Sequence, residues 1–261
     1  LLATYTGLNT NQQGVADSLK DFFDRTGGIE AGYAQLSVAQ LSEADGEAGA
    51  ANVGAGFDGV DQFMGALIGR RGAGADDART GAWSSYLDDT STIDADAAVG
   101  SRETEVKTRQ LVLGADKVLS EQSSIGVALS QGDGDFTLTG PGGGRGEADL
   151  TFVGVHARTG RGPFYLKGAI AYGQSKSTID RAVAISGTDA LRSEVRIHAA
   201  AWELEGGMRL ERAPANLTPY LALRLTSLDV PAYAETAKSG AATYALSYRA
   251  LSADATRIEV G

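Results

Sequence analysis

Cysteine is absent from the 261-residue chain, which excludes a disulfide framework, a thiolate metal site and a cysteine nucleophile. Basic residues are scarce: 23 Lys and Arg against 33 Asp and Glu leave a net charge of −10, with no cationic cluster. A phosphate-backbone binder needs such a cluster, so nucleic acid is not an expected partner. No stretch reaches the roughly 18 consecutive apolar residues of a membrane-spanning helix. The opening residues, Leu1 to Tyr5, lack the basic start and apolar run of a signal peptide. What is left is a soluble protein or a β-barrel, because barrel strands show lipid an apolar residue only at alternate positions.

What is present divides near residue 78. Residues 1–78 hold 4 basic against 11 acidic residues, a net of −7, and the rest of the chain carries only −3. The periods differ too. In the first part Val15, Leu19, Phe22 and Phe23 recur at helical spacing after the cap-like Asn9-Thr10-Asn11, with Thr26-Gly27-Gly28 as a stop. Leu36, Val38 and Leu41 suggest a second helical piece. Over 57–70, Phe57, Val60, Met64, Leu67 and Ile68 fall on one stripe while Asp58, Asp61 and Gln62 fall elsewhere, predicting an amphipathic helix. Its Ala/Gly-rich flanks, 46–56 and 69–75, read as linkers.

The second part alternates with period two. Phe164, Leu166 and Ile170 share one face and Lys167 the other; Leu221, Leu223 and Leu225 oppose Arg224; Tyr244, Leu246 and Tyr248 oppose Arg249. About nine strands follow, at 79–87, 103–119, 125–138, 147–159, 163–180, 190–212, 217–229, 241–251 and 254–261. The segment 190–212 is too long for one strand and is expected to include a loop or bulge. All 5 prolines fall in connections or at strand starts, where a missing N–H does least harm. Short and long connections alternate, which predicts a mainly β fold: an antiparallel up-and-down transmembrane barrel, tight turns at one end and long loops at the other, preceded by an α-helical region. The expected division is 1–56 as a partly helical junction, 57–78 as helix and linker, and 79–261 as barrel.

Motifs that could carry other chemistry are weak. The glycine cluster over 140–146 lacks the Gly-Lys-Ser/Thr end of a phosphate loop and reads as a hairpin connection. Residues 131–135 have calcium-like acidic spacing without the closing Glu of an EF-hand loop. His156 and His198, the sole histidines, lack a nucleophile elbow or a zinc-binding helix motif and read as pore-facing or interfacial. No catalytic, metal or cofactor site is expected, and the chain is not read as an enzyme.

Several segments carry a resemblance. Leu-Gly-Ala-Asp-Lys-Val-Leu at 113–119, Gly-Val-His-Ala-Arg at 154–158 running into Gly-Pro-Phe-Tyr-Leu at 162–166, Leu-Glu-Gly-Gly-Met-Arg at 204–209 and Leu-Thr-Pro-Tyr at 217–220 together resemble the β-domain of autotransporters. Gly-Leu-Asn-Thr-Asn-Gln at 7–12 resembles the region joining passenger to barrel. The resemblance implies a twelve-stranded outer-membrane barrel of a Gram-negative bacterium, a helix in its lumen, and delivery of a covalently attached N-terminal passenger to the cell surface. It also implies outer-membrane lipid, the barrel-assembly machinery and periplasmic chaperones as partners. A barrel enzyme, a passive porin and a soluble β-rich adhesin are the alternatives. On this reading Phe57, Asp58, Val60, Asp61, Met64 and Leu67 belong to the lumen helix. Arg or Lys at the bilayer midplane would cost about 2–4 kcal/mol, so Lys167, Arg224, Arg249, Arg257 and Glu259 should face the lumen. There they pair with one another and hydrate the pore, or hold Asp58 and Asp61, or keep a transiting polypeptide from sticking. The hydrophobic faces of these strands, Tyr244, Leu246 and Tyr248 included, should meet lipid. The chain ends inside a strand pattern, so an incomplete barrel with edges at 79–87 and 256–261 is expected.

Overall fold

A computed structural model describes residues 5–27, 31–34, 36–69, 80–140, 142–185, 187–212 and 215–261. Four helices come first: α1 (Thr10–Thr26), α2 (Ala31–Ala34), α3 (Val38–Glu43) and α4 (Glu47–Ile68). The strands follow as β1 (Thr80–Ile93), β2 (Thr104–Ser120), β3 (Ser123–Leu138), β4 (Gly144–Arg161), β5 (Phe164–Val183) and β6 (Asp189–Met208). After them come β7 (Leu210–Arg212), β8 (Ala215–Leu217), β9 (Tyr220–Val230), β10 (Tyr233–Ala234), β11 (Thr236–Ser239), β12 (Ser247–Tyr248) and β13 (Leu251–Val260).

Local chemistry sets the helix ends. The Asn9 side chain accepts the Gln12 N–H at 2.9 Å and the Gln12 side chain accepts the Asn9 N–H at 3.1 Å, a reciprocal cap that opens α1. Gly27, at φ +72°, closes it in the left-handed conformation. Ser37 and Gln40 cap α3 in the same way. Helix α4 begins at Glu47, ten residues before the start read from periodicity, because 47–56 is helix and not linker. Its Ala and Gly residues give little amphipathic signal, yet the helix is stabilised by packing, which favours small side chains. A Cβ on Gly49 would sit 2.6 Å from the Tyr248 ring. Only glycine lets the helix come this near. Residues 70–75 of the second expected linker lie outside the described residues.

The main sheet has the order β1-β2-β3-β4-β5-β6-β9-β13, every neighbour antiparallel. Eight long strands therefore replace the nine expected. Residues 241–251 do not form a barrel strand. Residues 231–250 are a long connection in which β11 pairs with the end of β6, and β10 with β12. The alternation of Tyr244, Leu246 and Tyr248 comes from side chains packed on the helices, not from a membrane face. Tyr244 is 2% exposed, edge-on to Tyr33 at 4.9 Å, and Tyr248 stacks on Tyr233 at 4.4 Å. The expected break at 252–253 is absent, since β13 is continuous. The overlong strand 190–212 resolves into β6 and a small β7–β8 hairpin.

Short turns join β2 to β3 and β4 to β5 at one end, where the β7–β8 hairpin also lies; long connections occupy the other. Outward-facing Leu111, Leu113, Ile125, Val127, Leu129, Val153, Val155 and Ile170 form an exposed apolar belt. Inward residues of the same strands, among them Phe136, Leu150, Phe152, Ile197 and Leu228, bury Val60, Phe63, Met64 and Leu67 of α4 in one core. The Phe63 and Phe152 rings stack at 5.8 Å. A second cluster at the long-loop end joins Leu36, Leu41 and Ala44 to Val183, Leu191 and Tyr244. Among the described residues the outer edges of β1 and β13 meet no strand, so the sheet is open there.

Candidate functional site

Among the described residues, charged side chains, helix and strands converge in the space the sheet curls around, at three levels. At the long-loop mouth Arg102, two residues before β2, reaches back to the start of α4. Its guanidinium lies 3.1 Å from Asp45 and 2.5 Å from Glu47, its backbone N–H bonds Glu47 at 2.6 Å, and Nη2 donates to the Ser42 carbonyl. Arg181 of β5 makes a fork with Glu235, Nε at 2.9 Å and Nη2 at 2.6 Å. The same guanidinium donates to the carbonyls of Glu43 and Tyr244, both at 2.9 Å. Both side chains of that pair are almost wholly buried, 1% and 2% exposed. One arginine thus ties together β5, the end of α3 and the 231–250 connection.

Midway down, Arg224 of β9 lies 2.5 Å from Glu203 and 3.3 Å from Asp61, and also donates to the Asp61 carbonyl at 3.2 Å. Arg257 approaches Asp61 at 3.8 Å, and Asp58 accepts from Ser91 at 2.7 Å. On the opposite side Gln110 donates to the Gly59 carbonyl at 2.8 Å and to Gln62 at 2.7 Å, and accepts from Ser130 at 2.6 Å. Sequence reasoning missed this network. The inward alternation of Gln110 and Ser130 among apolar residues was the available signal, but their meeting with Gln62 depends on register.

At the short-turn end His156 is 3.0 Å from Asp116, to which the Trp83 indole N–H donates at 3.1 Å. Lys167 pairs with Glu205 on the neighbouring strand at 3.0 Å, away from Asp58 and Asp61. Val60, Met64 and Leu67 are buried on α4 and Phe57 is half-buried. Glu259 shares the face of Ala222 and accepts from the Tyr220 hydroxyl. Arg249 departs from the expectation: it stands in the connection before β13, outside the sheet, because the strand that would have turned it inward does not form. Phe164, Leu166, Ile170 and Leu221 are exposed on the outer face, whereas Tyr244, Leu246 and Tyr248 belong to the mouth. His198 points outward, its ring stacked on Tyr172 at 6.3 Å. The acidic run at 131–135 faces outward, with Asp133 and Asp135 each 2.8 Å from Arg109. Among the described residues no group of three or more His, Asp or Glu could hold a metal ion.

An up-and-down antiparallel wall, apolar outside and curled on a helix held by buried charges, is the build of a transmembrane β-barrel type of domain. The fold is similar to that of the translocator domain of autotransporter NalP from Neisseria meningitidis. The TM-score is 0.63 at 18% identity, over 78% of this chain and 68% of that one. No curated protein sequence matches the chain. The autotransporter β-domain family model matches residues 82–261, and the chain belongs to that family. It is an outer-membrane translocator unit of type V secretion.

Proposed function

We propose that the chain delivers an N-terminal passenger to the cell surface through the space α4 now fills, with its long-loop end outside the cell. One observation carries the direction: α4 starts at the long-loop mouth beside Arg102 and ends near His156, and β1 then starts at the short-turn end opposite Lys117. Chain that precedes α4 therefore lies on the long-loop side. Phe57, Asp58, Val60, Asp61, Met64 and Leu67 act as lumen-helix residues. Arg224 and Arg257 hold Asp61, while Lys167 and Glu259 line the wall. The division into a junction over 1–56 and a barrel over 79–261 goes with this reading, with the lumen helix extended upstream to Glu47.

The work is transport without bond-making, and no cofactor enters it. The buried charges are paired with one another, as a passage for polypeptide requires if it is not to bind what passes. Outer-membrane lipid covers the apolar belt, and the barrel-assembly machinery and periplasmic chaperones serve insertion. The test is topological: an epitope inserted before Thr10 and another in the β2–β3 turn at 121–122, each probed by protease on intact cells. Cleavage at the first site alone is expected. Cleavage confined to the turn would overturn the orientation.

A further inference from the structure

Like charges directly opposite one another on adjacent strands oppose sheet formation unless something offsets them. On the outer face Lys176 of β5 stands directly opposite Arg196 of β6. Both are exposed, and neither makes an ion pair or hydrogen bond among the described residues. One row beyond the intervening Thr178–Glu194 pair, Asp180 is oversupplied with cations: Arg192 forks it at 2.7 Å, Lys238 reaches it at 3.4 Å and Arg145 at 4.0 Å. The outward charges of β5, β6 and β11 are Lys176, Arg192, Arg196 and Lys238 with Asp180 and Glu194. Asp149, opposite Lys176, and Glu147 bound the patch on the β4 side. With Arg145 of β4 and Asp229 of β9, which lies opposite His198, five cations face five carboxylates, so the unusual feature is the directly opposed Lys176–Arg196 pair and not a net surplus.

Its height is informative. Below Lys176 and Arg196 on the same faces come Gln174 and His198, then Tyr172, then Ile170 and Trp202. Tyr172 is four residues from Lys176. At about 3.4 Å per residue and a barrel tilt near 40°, that is about 10 Å above the aromatic margin of the belt, the depth at which headgroups stand. We propose that the outer face of β5 and β6 around Lys176 and Arg196 binds the phosphorylated headgroup of an outer-leaflet lipid. The phosphate neutralises the facing cations, and Gln174 and His198 offer further donors beneath. The inference rests on the orientation proposed above.

The whole chain, reconstituted in phosphatidylcholine vesicles carrying either bisphosphorylated or dephosphorylated lipid A, is extracted in mild detergent, and retained lipid is counted by native mass spectrometry. Preference for the phosphorylated lipid is expected, with retention falling about tenfold in Lys176→Gln/Arg196→Gln, as loss of charge-assisted hydrogen bonds implies. Lys176→Arg should retain it, and so should Lys107→Gln, an outward β2 cation already paired with Glu105. Equal retention by the double variant and the parent overturns the inference, as does displacement by equimolar inorganic phosphate, which marks a free-anion patch. Protease mapping of the same vesicles separates the two claims. A reversed topology fails the orientation and the inference with it, whereas correct topology with unchanged retention fails the inference alone.

Discussion

The two ends of α4 are held by different physics. At the long-loop end Glu47 and the preceding Asp45 are fixed by Arg102, and the adjoining α3 and 231–250 segments by Arg181, through buried ion pairs and carbonyl contacts. At the short-turn end Phe63, Met64 and Leu67 sink into Leu150, Phe152 and the gap over Gly154, where a Cβ would come within 2.6 Å of Leu67. Apolar packing is non-directional and tolerates sliding along the helix axis. A forked arginine has one productive geometry. The mouth therefore sets the position of the helix, and the deep end supplies most of the adhesion.

Four measurements test this contrast. The largest effect is expected from Phe63→Ala, which empties a fully buried site and should cost about 3–5 kcal/mol. Denaturant unfolding in detergent checks it, and a loss below about 1 kcal/mol would mean that the deep end does not carry the adhesion. Arg181→Met strands the Glu235 carboxylate and should cost about 3 kcal/mol, read as protease cleavage within 231–250 while the sheet stays resistant. Adding Glu235→Leu should restore much of that resistance, since an apolar pair avoids the stranded charge.

Asp61→Asn is expected to lose only about 1 kcal/mol, because Arg224 keeps Glu203. A double-mutant cycle with Arg224→Gln isolates that coupling, and additive losses would deny it. The smallest effect is on pH. Burial first, with Glu235 adding to it, pushes the Tyr233 hydroxyl up to about 12 and raises that of Tyr248 as well. Each keeps its proton in the folded chain at pH values where the unfolded chain, near 10, has lost it. Their contribution is complete below about pH 10 and declines as pH climbs towards 12. Tyrosinate absorbance should rise together with cleavage in 231–250, and cleavage that precedes the absorbance change would rule these tyrosines out as its cause.

Signals that live in neighbouring residues were legible in the sequence. Asn9 with Gln12 opens a helix wherever it sits, and strict alternation over Phe164 to Tyr172 cannot be satisfied except by a strand with two unlike faces. The early start of α4 was hidden because Ala and Gly read as linker until a wall is present for them to approach. The false strand at 241–251 shows the converse: alternating Tyr and Leu residues can face two different partners across a folded loop, and Ala242 at φ +56° interrupts any extended run. The Gln110, Gln62 and Ser130 network needed register across two strands and a helix, information that no local pattern contains.

The ladder from β1 to β6 pairs each strand with its immediate successor, and β6 pairs with β9, the next long strand. Wall growth is therefore kinetically cheap, one hairpin closure at a time, with low contact order. Helix α4, by contrast, precedes every strand yet touches β1 through β6 and β9. Those contacts cannot all exist until the later strands are in place, so the packing of the helix depends on nearly the whole wall. A sheet wrapped without it would leave Phe136, Leu150, Phe152, Ile197 and Leu228 facing water, and so would be open to misassembly until the helix arrives.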